Sequence, residues 1–211
     1  MMETINDLLD FHLRSCRTLD EVERIAKDFN VKIKIRGFMT GASFVAETSA
    51  NGRFASICVI CAYNKQTGTV DVLVLPYNIK RDKRTREVSD LTTDMSPEEV
   101  GSHGIFHETG LTVPPGKLEP FCTPIEIPDR QRPGEKHMKH CFMSYNSHSG
   151  TLLTEWENPF DPEIGRPIWV PFPVLWYSKI LNPKHFEMLS SLKEKLSMQS
   201  SEAAMALMNL Q

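Results

Sequence analysis

Residues 96–111 constrain this chain most, because they specify a helix at both ends. Ser96 is a natural N-cap, Pro97 suits the first helical position, and Glu99 completes a Ser-x-x-Glu capping box. Gly110 stands where a C-terminal cap is needed. Inside the helix, Gly101 and Gly104 each cost about 1 kcal/mol relative to alanine. Helix stability therefore does not account for Gly104. Its alternatives are loss of a former side-chain role, or close packing against another backbone.

The flanking segments read as strands. Val31–Arg36 alternates cleanly, and Ala42–Glu47 and Phe54–Tyr63 follow. Residues 64–68 (Asn-Lys-Gln-Thr-Gly) make a turn into Thr69–Pro76, which predicts a hairpin. Beyond the helix, Lys117–Ile127 carries Pro120 and Pro124, which predict an edge or interrupted strand. His137–Asn146 reads as another strand. Residues 1–30 read as two helices that can cover a sheet face or form a homodimer contact. A last helix is expected over Pro183–Ser197, with Phe186, Leu189, Leu192 and Leu196 as its apolar stripe. The expected organisation is a helical extension (1–30), one main domain (31–198) and a tail or short helix (199–211).

Composition excludes several classes. A charged fraction of 24% and a hydrophobic fraction of 40% describe an ordinary soluble globule. A net charge of -3 gives no nucleic-acid signal and no case for a membrane surface. No apolar run is long enough to span a bilayer, and the N-terminus lacks a signal-peptide pattern. Five scattered cysteines point to a reducing, cytoplasmic compartment. Cys58 and Cys61 have CxxC spacing but lie in a strand pattern, where residues three apart face opposite sides. They read as buried thiols acting as small hydrophobes.

The helix and the segment after it, His103-Gly-Ile-Phe-His-Glu-Thr-Gly-Leu111, resemble the end of the Nudix box, G-x5-E-x7-R-E-U-x-E-E-x-G-U, where U is a bulky aliphatic residue. Ile105, Glu108, Gly110 and Leu111 match. The arginine of the pattern is His103, the glutamate after it is Gly104, and the first of the paired glutamates is His107. Upstream, the opening glycine falls on Ser89 and the first glutamate on Met95. Further on, Glu163, Trp169 and Val170 fit a final-strand layout common in the family. The resemblance covers roughly residues 35–197. It implies an α/β fold, a Nudix-like α/β/α sandwich with a mixed β-sheet, here with an N-terminal helical extension.

The resemblance also implies a chemistry: glutamates on one helix face hold Mg2+ or Mn2+ against a diphosphate while water attacks phosphorus. Mg2+ takes hard oxygen ligands and neutralises developing charge. Positions 104, 107 and 108 share a face by i, i+3, i+4 spacing. Here they are Gly104, His107 and Glu108. One carboxylate and one imidazole make a weak Mg2+ or Mn2+ site, and imidazole suits zinc better.

Glu108 and His107 are therefore the candidate catalytic residues. Glu108, His103, His107 and Glu163 are the candidate metal set, with Mg or Mn as a weak cofactor and Zn as the lesser choice. In residues 77–95, Arg81, Arg84 and Arg86 can grip a phosphate with paired donors. Trp156 and Phe160 can stack on a base. These readings converge on a Nudix-fold protein with a degenerate box. It would bind a nucleotide-like ligand or a protein partner, with weak or no hydrolysis. The alternative is a metal-dependent hydrolase of nucleoside diphosphate derivatives with a relocated site drawing on Glu98, Glu99, His107, Glu108, Asp161 and Glu163.

Overall fold

The computed structural model describes residues 12, 24–25, 27–28, 35–37, 40–41, 46–76, 91–92, 94–129, 132–153, 167–176 and 183–208. Its centre is a long strand, β4 (Gly52–Asn64), whose sequence is apolar on both faces. Such a run must be covered twice, and it is. Preceding it are β1 (Ile35–Gly37), β2 (Thr40–Gly41) and β3 (Ala46–Thr48). The turn after β4 leads into β5 (Thr69–Pro76), which pairs antiparallel with β4. In that turn the Asn64 side-chain oxygen accepts from the Gln66 N–H at 3.0 Å, and Gly68 takes φ 66°.

The remaining strands are β6 (Leu91–Thr92), β7 (Leu111–Thr112), β8 (Glu119–Pro120), β9 (Ile125–Pro128), β10 (Lys136–Tyr145), β11 (Ser149–Gly150) and β12 (Ile168–Pro171). β10 lies parallel to β4, from Met138 opposite Phe54 to Tyr145 opposite Cys61. β8 and β9 pair antiparallel with β10, β12 antiparallel with β5, and β6 parallel with β3. Among the described residues the result is a mixed ten-stranded sheet, with β7 and β11 as a separate small ladder. Pro120 sits in the short flanking strand β8, consistent with its missing N–H.

Side-chain alternation divides the core into two layers. Cys58, Ile60, Leu73 and Phe142 face helix α1 (Pro97–Thr109), packing with Ile105, Leu111, Val113 and Leu118. Ile57, Val59, Cys61, Val72, Val74, Cys141 and Met143 face the other way. There they meet α2 (Phe172–Trp176), α3 (Pro183–Gln199) and α4 (Ser201–Leu207). This is the α/β/α arrangement with a mixed sheet that the sequence resemblance implies. Cys58 and Cys61 fall in different layers, as strand alternation requires. Of the N-terminal region, Ile25 packs against the layer that holds α2–α4.

Two strand expectations fall partly outside the described residues. Of the expected strand Ala42–Glu47, Ala46 and Glu47 lie in β3, opposite Phe54 and Arg53 of β4, and residues 42–45 lie outside the described residues. Residues 31–34 lie outside the described residues. At the other end, residues 201–207 form a helix with Ser200 as N-cap, its side chain accepting from Ala203 N–H at 3.0 Å. Ala203 and Leu207 are buried in the core.

Candidate functional site

The capping box on α1 is complete. Ser96 Oγ accepts from the Glu99 N–H at 3.2 Å, and Glu99 Oε2 accepts from the Ser96 N–H at 2.7 Å. Gly110 takes the left-handed conformation, φ 78°, and its N–H donates to Phe106 O. Two hydroxyls fasten the helix. Ser56 Oγ donates to Pro97 O at 2.6 Å, and Ser102 Oγ donates to Val113 O. α1 is thereby docked on β4 with little freedom in rotation.

That rotation decides what the box residues can reach. Gly101, Gly104, Ile105 and Glu108 are buried on the sheet side, whereas His103 and His107 are only half-buried and Phe106 is 47% exposed. Glu108 is 3% exposed, and its charge, together with burial as the larger cause, pushes the Cys58 thiol up. The rings of His103 and His107 lie 4.2 Å apart. Burial first, and the neighbouring His103 second, lower the His107 pKa. His103 and His107 thus come together, while Glu108 is turned into the core. Glu99 is engaged in the capping box.

Among the described residues, no group of three or more His, Cys, Asp or Glu gathers as a metal site. Arg81, Arg84, Arg86, Trp156, Phe160, Asp161 and Glu163 lie outside the described residues. His137 and His140 diverge, as their spacing on a strand requires. His140 stacks on Phe142 with centroids 6.2 Å apart on the α1 side. His137 Nδ1 stands 3.4 Å from Asp129 Oδ2.

Two features escaped the sequence reading. The first is a buried charge group. Arg53 Nε donates to Asp129 Oδ2, and both side chains are at most 5% exposed. Glu47 lies 3.5 Å from the Arg53 guanidinium and 2.8 Å from that of Arg132. Nothing local links Arg53 to Asp129, so no sequence spacing could have signalled the pair.

The second is a cavity of about 270 Å³ at the C-terminal end of β4, lined by Tyr63, Asn64, Lys65, Asp71, His148 and Trp169, with Ala62 at its wall. Asp71 is held by Asn64 Nδ2 at 2.9 Å and Thr69 Oγ1 at 3.0 Å. The His148 and Trp169 rings are 5.2 Å apart. Burial lowers the His148 pKa, and its buried Nδ1 has no hydrogen-bond partner among the described residues. In the sequence, Asn64 and Lys65 read as turn residues and Trp169 as part of a final-strand layout.

Solved structures supply the comparisons. The chain is similar to the NUDIX domain of Shewanella oneidensis NrtR complexed with ADP ribose, at 16% identity over 68% of this chain and 87% of that one, TM-score 0.46. It is similar to a C. elegans Ap4A hydrolase at 12% identity over 69% and 98%, TM-score 0.46. A MutT/nudix family protein from Enterococcus faecalis gives 13% identity over 81% and 57%, TM-score 0.40. The likeness is one of fold. At such identities it assigns no activity, ligand or metal to this chain. No family model matches the chain, and no curated protein matches it.

Proposed function

We propose that this chain is a ligand-binding protein on a Nudix-type scaffold, without metal-dependent hydrolysis at α1, and that its ligand is nucleotide-like. The observation that carries this reading is the burial of Glu108. The one carboxylate among positions 104, 107 and 108 sits 3% exposed beside Cys58. A hard divalent cation needs several oxygen ligands. Gly104 supplies none, and His107 supplies nitrogen. Positions 104, 107 and 108 therefore do not fit Mg2+ or Mn2+, and no reaction step is assigned to them.

The nucleotide-like ligand is supported by the cavity at the end of β4. Trp169 offers an aromatic surface for a flat heterocycle. His148 borders the same cavity beside Trp169, and the exposed Lys65 offers a cation for phosphate. Arg81, Arg84 and Arg86 belong to the same proposal as further phosphate contacts.

The test has two arms. The first follows phosphate or nucleotide release from ADP-ribose, dinucleoside polyphosphates and nucleoside triphosphates with Mg2+ or Mn2+, beside Glu108→Gln. No turnover is expected in either protein. Turnover abolished by Glu108→Gln would overturn the reading in favour of a hydrolase. The second arm measures thermal stabilisation by the same compounds at low salt. Stabilisation weakened by Lys65→Ala and His148→Gln is expected. No stabilisation by any of them would overturn the nucleotide-like ligand and favour a protein partner.

A further inference from the structure

We propose that Asn51 is a site of spontaneous deamidation, that it converts through a succinimide to isoaspartate, and that the product loosens the β3–β4 hairpin. Asn51 is the one asparagine in the chain that precedes a glycine. The fold places Asn51 and Gly52 in the exposed turn between β3 and β4. Gly52 opens β4 with φ 62°, in the left-handed region that favours glycine, so the turn itself calls for a glycine after Asn51. A Cβ built on Gly52 would meet nothing within 4 Å, so the ground beside its backbone is open among the described residues.

The other described asparagines are held. Asn64 Oδ1 accepts from the Gln66 N–H at 3.0 Å, and Asn64 Nδ2 donates to Asp71 at 2.9 Å. Asn146 Oδ1 accepts from the Tyr63 N–H at 2.8 Å. Each must break these bonds before its side-chain carbonyl can swing onto the following nitrogen, and Lys65 and Ser147 crowd those nitrogens with side chains of their own. Asn51 is engaged through its backbone, whose N–H donates to Thr48 Oγ1 at 3.0 Å. Its side chain makes no hydrogen bond among the described residues. The Asn51 amide therefore reaches the Gly52 nitrogen without losing a contact.

The chemistry balances with water as co-reactant. The Gly52 nitrogen attacks Asn51 Cγ, the Cγ–Nδ2 bond breaks, and ammonia leaves with the proton that the Gly52 nitrogen gives up. Water then opens the five-membered imide. Attack at Cγ gives aspartate, and attack at the main-chain carbonyl carbon gives isoaspartate, with the chain running through Cβ and Cγ. The net change is amide plus water to carboxylate plus ammonium. Isoaspartate adds one carbon to the backbone between Thr48 and Gly52, which face each other across the hairpin. That closing pair sets Glu47 opposite Arg53 and Ala46 opposite Phe54. Glu47 bridges Arg53 and Arg132, and Ala46 and Phe54 pack with Val100 of α1. A longer turn disturbs both the ion pairs and the seat of the first turn of α1.

The experiment ages the full chain in warm, mildly alkaline buffer beside a synthetic peptide of residues 48–54. Peptides are mapped by mass spectrometry, and isoaspartate is detected by enzymatic carboxyl methylation. The expected result is conversion at Asn51 ahead of Asn64 and Asn146, with isoaspartate in excess of aspartate. The converted protein should melt about 2–4 °C lower. Asn51→Gln should keep its amide, because the ring it would need has six members. Asn51→Asp supplies the charge without the extra backbone carbon and should melt close to the starting chain. An Asn51 amide that survives in the protein after the peptide has converted would overturn the proposal. Earlier conversion at Asn64 or Asn146 would overturn it too, as would an isoaspartate form that melts with the starting chain or no lower than Asn51→Asp.

Discussion

A Cβ built on Gly101 would stand 2.7 Å from the Cys58 sulfur and 3.3 Å from Leu118 Cδ1. The glycine that costs α1 helix propensity is thus what lets the helix lie close to β4. Gly101→Ala should destabilise the protein by about 1–2 kcal/mol, since overpacking a core outweighs the roughly 1 kcal/mol gained in propensity. Cys58→Ala in the same chain should recover part of that loss, because it removes the atom in the way. Urea denaturation of the two single variants and the double variant measures the coupling. Strict additivity would show that the contact does not matter.

Gly110 ends α1 with φ 78°, and a Cβ there would meet Thr151 O at 2.7 Å. The left-handed conformation alone disfavours alanine by about 1–2 kcal/mol. Gly110→Ala should therefore cost about 2 kcal/mol or more in equilibrium unfolding. Leu153 N–H donates to Thr109 O at 2.9 Å beside the same contact. Hydrogen exchange should consequently quicken at Leu153 in the variant, and unchanged exchange there would contradict the coupling.

Asp129 is the buried anion against Arg53, and its Oδ1 also accepts from the Arg132 N–H at 3.2 Å. Asp129→Asn keeps the shape but removes the charge that compensates a buried guanidinium. A loss of about 3 kcal/mol is expected, the usual scale for removing one partner of a buried pair. Glu47 is 46% exposed, so Glu47→Gln should cost well under about 1 kcal/mol. Melting curves that rank the two variants in the reverse order would refute this account.

Four histidines, His107, His137, His140 and His148, have pKa values lowered from 6.5, with burial as the largest cause in each. For His137, Asp129 opposes the shift while Arg53 and Lys139 add to it. The unfolded chain therefore takes up protons at a higher pH than the folded chain. Above about pH 7 all four are neutral in both states and contribute no pH dependence. As pH falls through 6.5, the unfolded state gains protons first and stability drops. The Tm should fall between about pH 7.5 and about pH 5.5, and less steeply in His148→Gln. A flat profile over that window would mean that these imidazoles protonate as readily in the fold as outside it.

The sequence by itself determined what depends on near neighbours. Ser96, Pro97, Glu99 and Gly110 mark the ends of α1 because caps are satisfied within one turn. Asn64 and Gly68 mark the β4–β5 turn for the same reason, and alternation separates Cys58 from Cys61. Tertiary structure decided the rest. The hydroxyls of Ser56 and Ser102 set the rotation of α1, and that rotation buries Glu108 while leaving His103 and His107 half-covered. Parallel pairing of β4 with β10 requires a long connection, so it brings together residues far apart in the chain. Arg53 meets Asp129 in this way, and His148 reaches Trp169 and Asn64 around one cavity. Each of these contacts depends on a strand partner that no local pattern names, and the candidate site was therefore less legible than the scaffold that carries it.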